Sequence, residues 1–361
     1  MTKKSKKNRF HIEYLIFALM AVIFLAAVAV VIFSSKSEKN KQEESSVAIT
    51  TTITTTTATT TTTSRYPQPA ERTTETVQLS PSDEMTAKNV ILLDTDKQIM
   101  LAEYGADTEI APASMTKIMT LIVAIETLTP EQKNGAAIID AEQLKPLIAM
   151  GASRVGYVAG EAVSVHDLLY GTILPSGADA AVTLACYTAG SIEGFVQLMN
   201  EKSTEIGLSH THFCNPTGLD EEGHYSTVHD IARLLQYAIS IPECKEILST
   251  PQHITAATAE HPTGIELKSI VFSRLGDNVL QNITFGGGKT GFTKNAGNCL
   301  ASWATDICGN TYICVVAGCE EQLYPIYDTL TLYDRYTYLG TKTYARPVVT
   351  TTTDADEEIE S

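Results

Sequence analysis

The chain has 361 residues, of which 43% are apolar, and this is enough for one large globular domain or two small ones. Acidic residues outnumber basic residues by 42 to 26, which argues against a nucleic-acid-binding protein, since such a protein needs a basic face. The charge is uneven along the chain, because basic side chains crowd the N-terminus and acidic side chains crowd the C-terminus.

Residues 14–33 form an unbroken apolar run of 20 residues, long enough to cross a bilayer as a helix. The basic residues 1–13 precede this run, so the positive-inside rule predicts a cytoplasmic tail, a single-pass anchor in the cell membrane and an extracellular remainder. A cleaved signal peptide is the alternative. We prefer the anchor, because the apolar core of a signal peptide is usually only about 7–15 residues long and small residues at a cleavage site follow it.

Residues 34–86 show no apolar periodicity and contain several runs of threonine. Such a segment buries too little apolar surface to fold, and it predicts a disordered stalk that holds a domain away from the membrane. A tolerated low-complexity insertion is the alternative. Residues 345–361 predict a disordered acidic tail, which leaves residues 87–344 as the folded domain.

The predicted elements of the folded part change in kind along the chain. Two strands come first, then a block of helices, then further strands and a closing helix. The predicted strands are residues 90–93, 99–102, 298–307 and 312–318, and the predicted helices are residues 114–128, 177–188, 191–207, 228–239 and 323–339. Gly309-Asn310 favours a hairpin between the last two strands. This order predicts an α+β fold in which helices pack on an antiparallel sheet.

Ser114 and Lys117 stand three residues apart at the start of the first predicted helix, just after Pro112. Positions i and i+3 share a helix face, so the lysine amine can reach the serine hydroxyl. A serine becomes a good nucleophile when a neighbouring base takes its proton, and a lysine can be that base if burial lowers its pKa. An exposed lysine on an amphipathic helix is the alternative, because one short motif has a high false-positive risk.

Two later segments carry further side chains that could take part in catalysis or substrate binding. Ser176 precedes the alanine-rich helix, where it could also be a plain helix cap. Lys289 and Thr290 follow three glycines at a strand entry, where another backbone or a ligand can approach closely. A fixed lysine cation beside a hydroxyl suits a substrate carboxylate.

Ser-x-x-Lys, then a Ser-x-x element, then Lys-Thr-Gly form, in that order, the signature of serine penicillin-recognising enzymes. Over about residues 87–339 the chain resembles the D-alanyl-D-alanine carboxypeptidase family, the low-molecular-weight penicillin-binding proteins. Other similar stretches are residues 167–171, 195–201, 211–219 and 224–230. The resemblance implies a β-lactamase/transpeptidase-like α+β fold, with helices on an antiparallel sheet and a helical subdomain.

The resemblance also implies a reaction. Ser114 would attack the carbonyl between the two terminal D-alanines of a peptidoglycan stem pentapeptide, while Lys117 accepts its proton. Ser176 would relay a proton to the leaving D-alanine, and water would hydrolyse the acyl-enzyme. This chemistry needs neither a metal nor an organic cofactor, and β-lactams would inhibit it by acylating Ser114.

The third motif would hold the substrate. Lys289 and Thr290 would bind its terminal carboxylate, Gly291 would also belong to the substrate-binding segment, and the backbone amides of Ser114 and Phe292 would form the oxyanion hole. Phe292 replaces a histidine that is frequent in the family, but a side-chain change leaves the amide in place. Ala178 replaces the asparagine that normally ends the second motif, and we expect slower turnover unless Asp179 compensates.

Three alternatives compete with this interpretation. His210, His212, His224 and His229 suggest a zinc site, but none of the usual zinc-peptidase motifs is present. A β-lactamase shares the three motifs and would need a deacylating glutamate, for which Glu221 and Glu222 lie in the right interval. Ala178 would also suit a non-catalytic peptidoglycan-binding module. The seven cysteines leave their pairing open.

Overall fold

The computed structural model describes residues 66–80 and 85–337. The predicted cytoplasmic tail, membrane anchor and acidic tail, and residues 34–65 of the predicted stalk, lie outside these residues. Within the described ranges, every helix is too short or too polar to traverse a bilayer.

The strands of the described residues are β1 (Val77–Gln78), β2 (Asn89–Asp94), β3 (Ile99–Tyr104), β4 (Ala136–Ile138), β5 (Ala162–Ser164), β6 (Gln252–Ile254), β7 (Glu266–Lys268), β8 (Ile283–Thr293), β9 (Gly297–Asp306) and β10 (Thr311–Cys319). Six of them form one sheet in the order β1-β3-β2-β10-β9-β8. β1 runs parallel to β3, and the other neighbouring strands are antiparallel. Two short antiparallel pairs, β4–β5 and β6–β7, are separate from this sheet.

Helices cover both faces of the sheet, which explains why its central strands are apolar without interruption. Alternate residues of β2 point to opposite faces, so Ile91 joins the core beneath the helical block while Leu92 joins the core beneath the closing helix. The helices are α1 (Lys117–Thr127), α2 (Pro130–Lys133), α3 (Ala141–Ala149), α4 (Val165–Ile173), α5 (Ala178–Ala189), α6 (Ile192–Ile206), α7 (Val228–Ser240), α8 (Pro242–Leu248), α9 (Ile270–Leu275) and α10 (Tyr324–Tyr336). The predicted α+β architecture is confirmed.

Local sequence signals explain where several helices and a hairpin begin and end. Ser164 caps α4 by accepting a hydrogen bond from the amide of Asp167, and Ser191 caps α6 in the same way from Gly194. Gly207 ends α6 in the left-handed conformation that favours glycine. The predicted hairpin is also present, because β9 and β10 flank residues 307–310.

The prediction that residues 34–86 form a disordered stalk is wrong for residues 66–80. Val77 and Gln78 pair with β3, and Arg72 forms a salt bridge to Glu103 at 2.6 Å. Composition suggested disorder, but backbone pairing with an edge strand and a salt bridge hold this segment on the domain. The folded domain therefore begins before residue 87.

Smaller corrections concern the helices. Two short helices, α8 and α9, are absent from the predicted elements. Pro242 begins α8, because proline suits the first turn of a helix. Residues Ile270–Leu275 form α9. The closing helix is shorter than predicted, with Pro325 in its first turn.

Candidate active site

Ser114 lies in a 3₁₀ turn, Ala113–Thr116, that leads into α1. Ala113 has a φ of 47°, a left-handed conformation that costs energy in a non-glycine residue and sets the direction in which Ser114 leaves the loop. Two glycines let other segments approach this turn. A side chain at Gly218 would put its Cβ 1.8 Å from the Ala113 carbonyl oxygen, and one at Gly291 would put it 3.3 Å from the Ser114 amide nitrogen.

Lys117 meets the requirements of a base for Ser114. Its Nζ lies 3.0 Å from Ser114 Oγ and donates a hydrogen bond to the Thr217 carbonyl oxygen at 2.7 Å. The side chain is only 2% exposed. Burial lowers the pKa of Lys117 to about 7, against a smaller opposing effect of the Asp179 charge. A substantial fraction of Lys117 is therefore a neutral amine near pH 7, beside the hydroxyl that it would deprotonate.

The loop that supplies the Thr217 carbonyl is held by Asn215 and His224. Asn215 Oδ1 accepts hydrogen bonds from the backbone amides of Thr217 and Gly218. His224 Nε2 lies 2.9 Å from the Thr116 hydroxyl, and its Nδ1 accepts from a backbone amide. Burial lowers the pKa of His224 to about 4, so the ring is neutral and links the loop to the nucleophile turn.

Ser176 and Lys289 form a second serine–lysine contact across the cleft from Ser114. Lys289 Nζ donates to Ser176 Oγ at 2.9 Å and to the Thr290 carbonyl oxygen at 3.0 Å. Ser176 has a φ of 62° in the loop between α4 and α5, so it is strained in the same sense as Ala113. The structure thus brings together Ser114, Lys117, Ser176 and Lys289, which the sequence analysis selected.

The fixed positive charge expected for Lys289 needs correction. Lys289 is 1% exposed. Burial lowers its pKa well below 10.5, and the charges of Lys117 and Arg274 lower it further. A carboxylate in the cleft would favour the charged form of Lys289, so charge on this lysine and ligand binding are coupled.

A cavity of about 450 Å³ opens over these groups. Ser114, Ser176 and Thr290 line it, together with Arg274 from α9. Burial lowers the pKa of the Arg274 guanidinium, and this arginine is a candidate carboxylate-binding group that the sequence analysis missed. In the sequence it stands out only as the single charged residue of α9.

The strand β8 carries the remaining predicted site residues along the cavity. Thr290, Gly291 and Phe292 all line it, and β8 pairs with β9 through this segment. The Phe292 side chain is 58% exposed. It therefore forms part of the rim, and any contribution to an oxyanion hole falls to its backbone amide.

The sequence model of the D-alanyl-D-alanine carboxypeptidase family matches residues 72–320, which is more than half of the chain. The chain belongs to the D-alanyl-D-alanine carboxypeptidase family. The match begins at Arg72, in agreement with the ordered segment that precedes β1.

Individual relatives agree with this family membership. The chain is 36% identical over 222 residues to the D-alanyl-D-alanine carboxypeptidase DacF of Bacillus subtilis, covering 60% of this chain and 54% of that protein. It is 34% identical over 241 residues to DacC of Escherichia coli, covering 65% and 56%. The chain thus spans about half the length of the curated relatives it matches.

A solved structure supports the transpeptidase-like fold. The Streptomyces K15 DD-transpeptidase superposes with a TM-score of 0.62 and 26% identity, covering 70% of this chain and 97% of that chain. The sheet and helices described above therefore form the fold that the resemblance predicted.

The carboxypeptidase family's second motif is altered at Ala178, and the structure shows what surrounds it. Ala178 is buried and packs in a small apolar cluster with Leu147 and Val182. Asp179 does not stand in for an asparagine, because its carboxylate accepts hydrogen bonds from the amides of Val155, Gly156 and Ala180. Asp179 instead fixes the loop beside Ser153 and acts on Lys117 only through its charge.

The histidines considered as zinc ligands have separate contacts. His212 Nδ1 lies 2.8 Å from the Gly223 carbonyl oxygen, His229 Nδ1 lies 2.9 Å from Asp107, and His224 serves the loop described above. Glu221, one of the two glutamates considered for a β-lactamase, accepts a hydrogen bond from Asn215. Within the described residues the seven cysteines are free thiols.

Proposed function

We propose that this protein is a serine-type D-alanyl-D-alanine carboxypeptidase that removes the terminal D-alanine from peptidoglycan stem pentapeptides. The observation that carries the proposal is the 3.0 Å contact between Ser114 Oγ and the buried Lys117 amine, whose pKa is about 7. The same cavity presents Ser176, Thr290 and a guanidinium, which suit a substrate that ends in a carboxylate.

The acylation step follows from these positions. The neutral amine of Lys117 accepts the Ser114 hydroxyl proton as Ser114 Oγ forms a bond to the carbonyl carbon of the penultimate D-alanine. The backbone amides of Ser114 and Phe292 stabilise the oxyanion. The carbon–nitrogen bond then breaks, and the leaving amine receives through Ser176 the proton that Lys117 had accepted, which returns Lys117 to its neutral form.

Deacylation returns the enzyme to its starting state. Water attacks the ester carbonyl and gives a proton to Lys117, and Ser114 Oγ leaves and recovers its hydrogen. The products are free D-alanine and a shortened stem peptide. Each step uses the chain's own side chains and backbone amides.

The residues that line the two cavities support one direction for the bound peptide. The terminal carboxylate would bind near Thr290 and Arg274, with Lys289 behind them, although Glu320 and Glu321 line the same cavity. The acyl part must then extend past Phe292 along the end of β8. A second cavity of about 610 Å³ begins there and includes Lys294 in its lining, so the groove has room for the preceding residues of a stem peptide.

We also propose that residues 14–33 anchor the chain in the cell membrane with a cytoplasmic N-terminus. Residues 34–65 would form the stalk, so that the catalytic domain reaches the cell wall outside the membrane. The basic residues 1–13 and the 20-residue apolar run support this arrangement. Protease digestion of intact cells should remove the domain, and protection from the protease would contradict the proposal.

Release of D-alanine from a synthetic pentapeptide tests the proposed activity. The full-length chain should release D-alanine, Ser114→Ala should lose at least about 10⁴-fold in rate, and Ser209→Ala should keep wild-type activity. Ser209 is exposed and does not line the cavity, so it provides the matched control. Absence of release by the wild-type protein would favour a non-catalytic wall-binding module, and rapid cephalosporin turnover would favour a β-lactamase.

A further inference from the structure

A cluster of two histidines and one aspartate lies outside the catalytic cleft. His166 and Asp167 are in the first turn of α4, and His253 is in β6 of the neighbouring hairpin. One potential ligand atom from each residue lies within 4.8 Å of the others. We propose that these three side chains bind one zinc ion.

The carboxylate is already positioned for this role. Asp167 is 3% exposed, and its Oδ2 accepts hydrogen bonds from the Ser164 hydroxyl at 2.7 Å and the Ala256 amide at 3.0 Å. Its Oδ1 lies 2.7 Å from His253 Nε2. Hydrogen bonds to the non-coordinating oxygen orient a carboxylate ligand and are typical of metal sites.

The first histidine is also held in place. The ring of His253 stacks on Tyr170, with centroids 4.3 Å apart and planes 20° from parallel. The stacking fixes the plane in which its nitrogen lone pair points. An ion that replaces the hydrogen bond between His253 and Asp167 would therefore meet two ligand atoms with little rearrangement.

The second histidine completes the set from the solvent side. His166 is exposed, and its ring centroid lies 5.3 Å from that of His253. Two ligand atoms on a tetrahedral zinc ion lie roughly 3.3 Å apart, given metal–ligand distances of about 2.0 Å. A side-chain rotation that moves the ring nitrogen of His166 by about 1–2 Å brings it into that range. Because the side chain is exposed, it is free to rotate in this way.

The donor set favours a transition metal. Two imidazoles and one carboxylate suit zinc and other first-row transition metals, whereas calcium and magnesium prefer oxygen ligands alone, and we choose zinc as the ion to test. Three protein ligands leave the fourth position to water. The site would link the hairpin to α4, at the end of that helix opposite Ser176, so its expected effect is on stability and not on the reaction.

Calorimetric titration of the full-length, tag-free, chelator-treated protein with Zn²⁺ tests the site. We expect one ion per chain, a rise in unfolding temperature, and no comparable response to Mg²⁺ or Ca²⁺. His166→Ala should weaken binding at least tenfold, because the exposed side chain can be removed without disturbing the fold. His253→Asn should weaken it as well.

His212→Ala is the matched control, since His212 Nδ1 lies 3.6 Å from Cys214 Sγ and that pair is the competing zinc-binding candidate. Unchanged binding in His212→Ala, with loss in His166→Ala, would support the site. Absence of saturable binding, loss in His212→Ala, or full affinity in His166→Ala would overturn it.

Discussion

Two serine–lysine pairs face each other across the cleft, and they differ in spite of similar geometry. Ser114 and Lys117 are 3.0 Å apart, and Ser176 and Lys289 are 2.9 Å apart. Both lysines are buried, and in both cases burial lowers the lysine pKa. Each pair also has a residue in the left-handed backbone conformation at or next to its serine. This residue is Ala113, which precedes Ser114, in the first pair, and it is Ser176 itself in the second.

The charges around the two lysines separate their roles. The Asp179 carboxylate partly offsets the effect of burial on Lys117, which leaves its pKa close to neutral and suits a base. Lys289 has cations as neighbours, and these lower its pKa further. A carboxylate ligand would relieve that repulsion. We therefore propose that the two lysines differ in role, with Lys117 as the base and Lys289 as a group that binds the substrate carboxylate.

Lys117→Arg should have the largest effect on this comparison. Arginine keeps its proton at any accessible pH, so Ser114 would lose its base while the positive charge remained. We expect D-alanine release to fall by about 10²–10⁴-fold. A thermal unfolding curve like that of the wild type would exclude misfolding, and activity within tenfold of wild type would remove Lys117 as the base.

Lys289→Arg should have a smaller effect, because a guanidinium can still bind the terminal carboxylate. We expect mainly a rise in KM, of about tenfold, with a lesser fall in kcat, since the larger side chain must fit a buried position. Steady-state kinetics separates the two constants. If this variant loses more kcat than Lys117→Arg, the roles of the two lysines are reversed.

Asp179→Asn should shift the pH dependence and lower stability. Removing a nearby negative charge disfavours the ammonium form, so the pKa of Lys117 falls and activity persists to lower pH. The free energy of unfolding should fall by about 1.5–3 kcal/mol, because the carboxylate accepts backbone hydrogen bonds from Val155 and Gly156. A pH–rate profile that moves to higher pH would contradict this account.

Arg72→Ala tests whether the folded domain begins before β1. This substitution should leave both serine–lysine pairs unaffected. Arg72 is 43% exposed, so losing its salt bridge to Glu103 should cost only about 1 kcal/mol of unfolding free energy, measured by urea denaturation. The kinetic constants should not change. Wild-type stability would mean that the Arg72–Glu103 salt bridge contributes nothing measurable, and that the segment is held by backbone hydrogen bonds such as those of Glu71.

The sequence predicted the parts of this molecule that depend on neighbouring residues. The contact between Ser114 and Lys117 follows from helical spacing, and the β9–β10 hairpin follows from Gly309-Asn310. Ser176 and Lys289 are 113 positions apart, and only the resemblance to a known family connected them.

The features that were missed depend on distant contacts. Threonine-rich composition gave no sign that Val77 would pair with β3, because backbone pairing is largely indifferent to side-chain type. The proximity of Arg274 to the cleft and of His253 to Asp167 arises where separate segments pack together. The spacing of residues along the chain does not predict contacts between such distant segments.

The proposed reaction depends most on Ser114 as the nucleophile and Lys117 as its base. The most direct test of these roles is the rate and position of penicillin acylation in the full-length chain, followed by mass spectrometry across a pH series. We expect an adduct on Ser114 that forms faster as the pH rises through about 7, and no adduct in Ser114→Ala. An adduct on Ser176, or one that persists in Ser114→Ala, would contradict these roles.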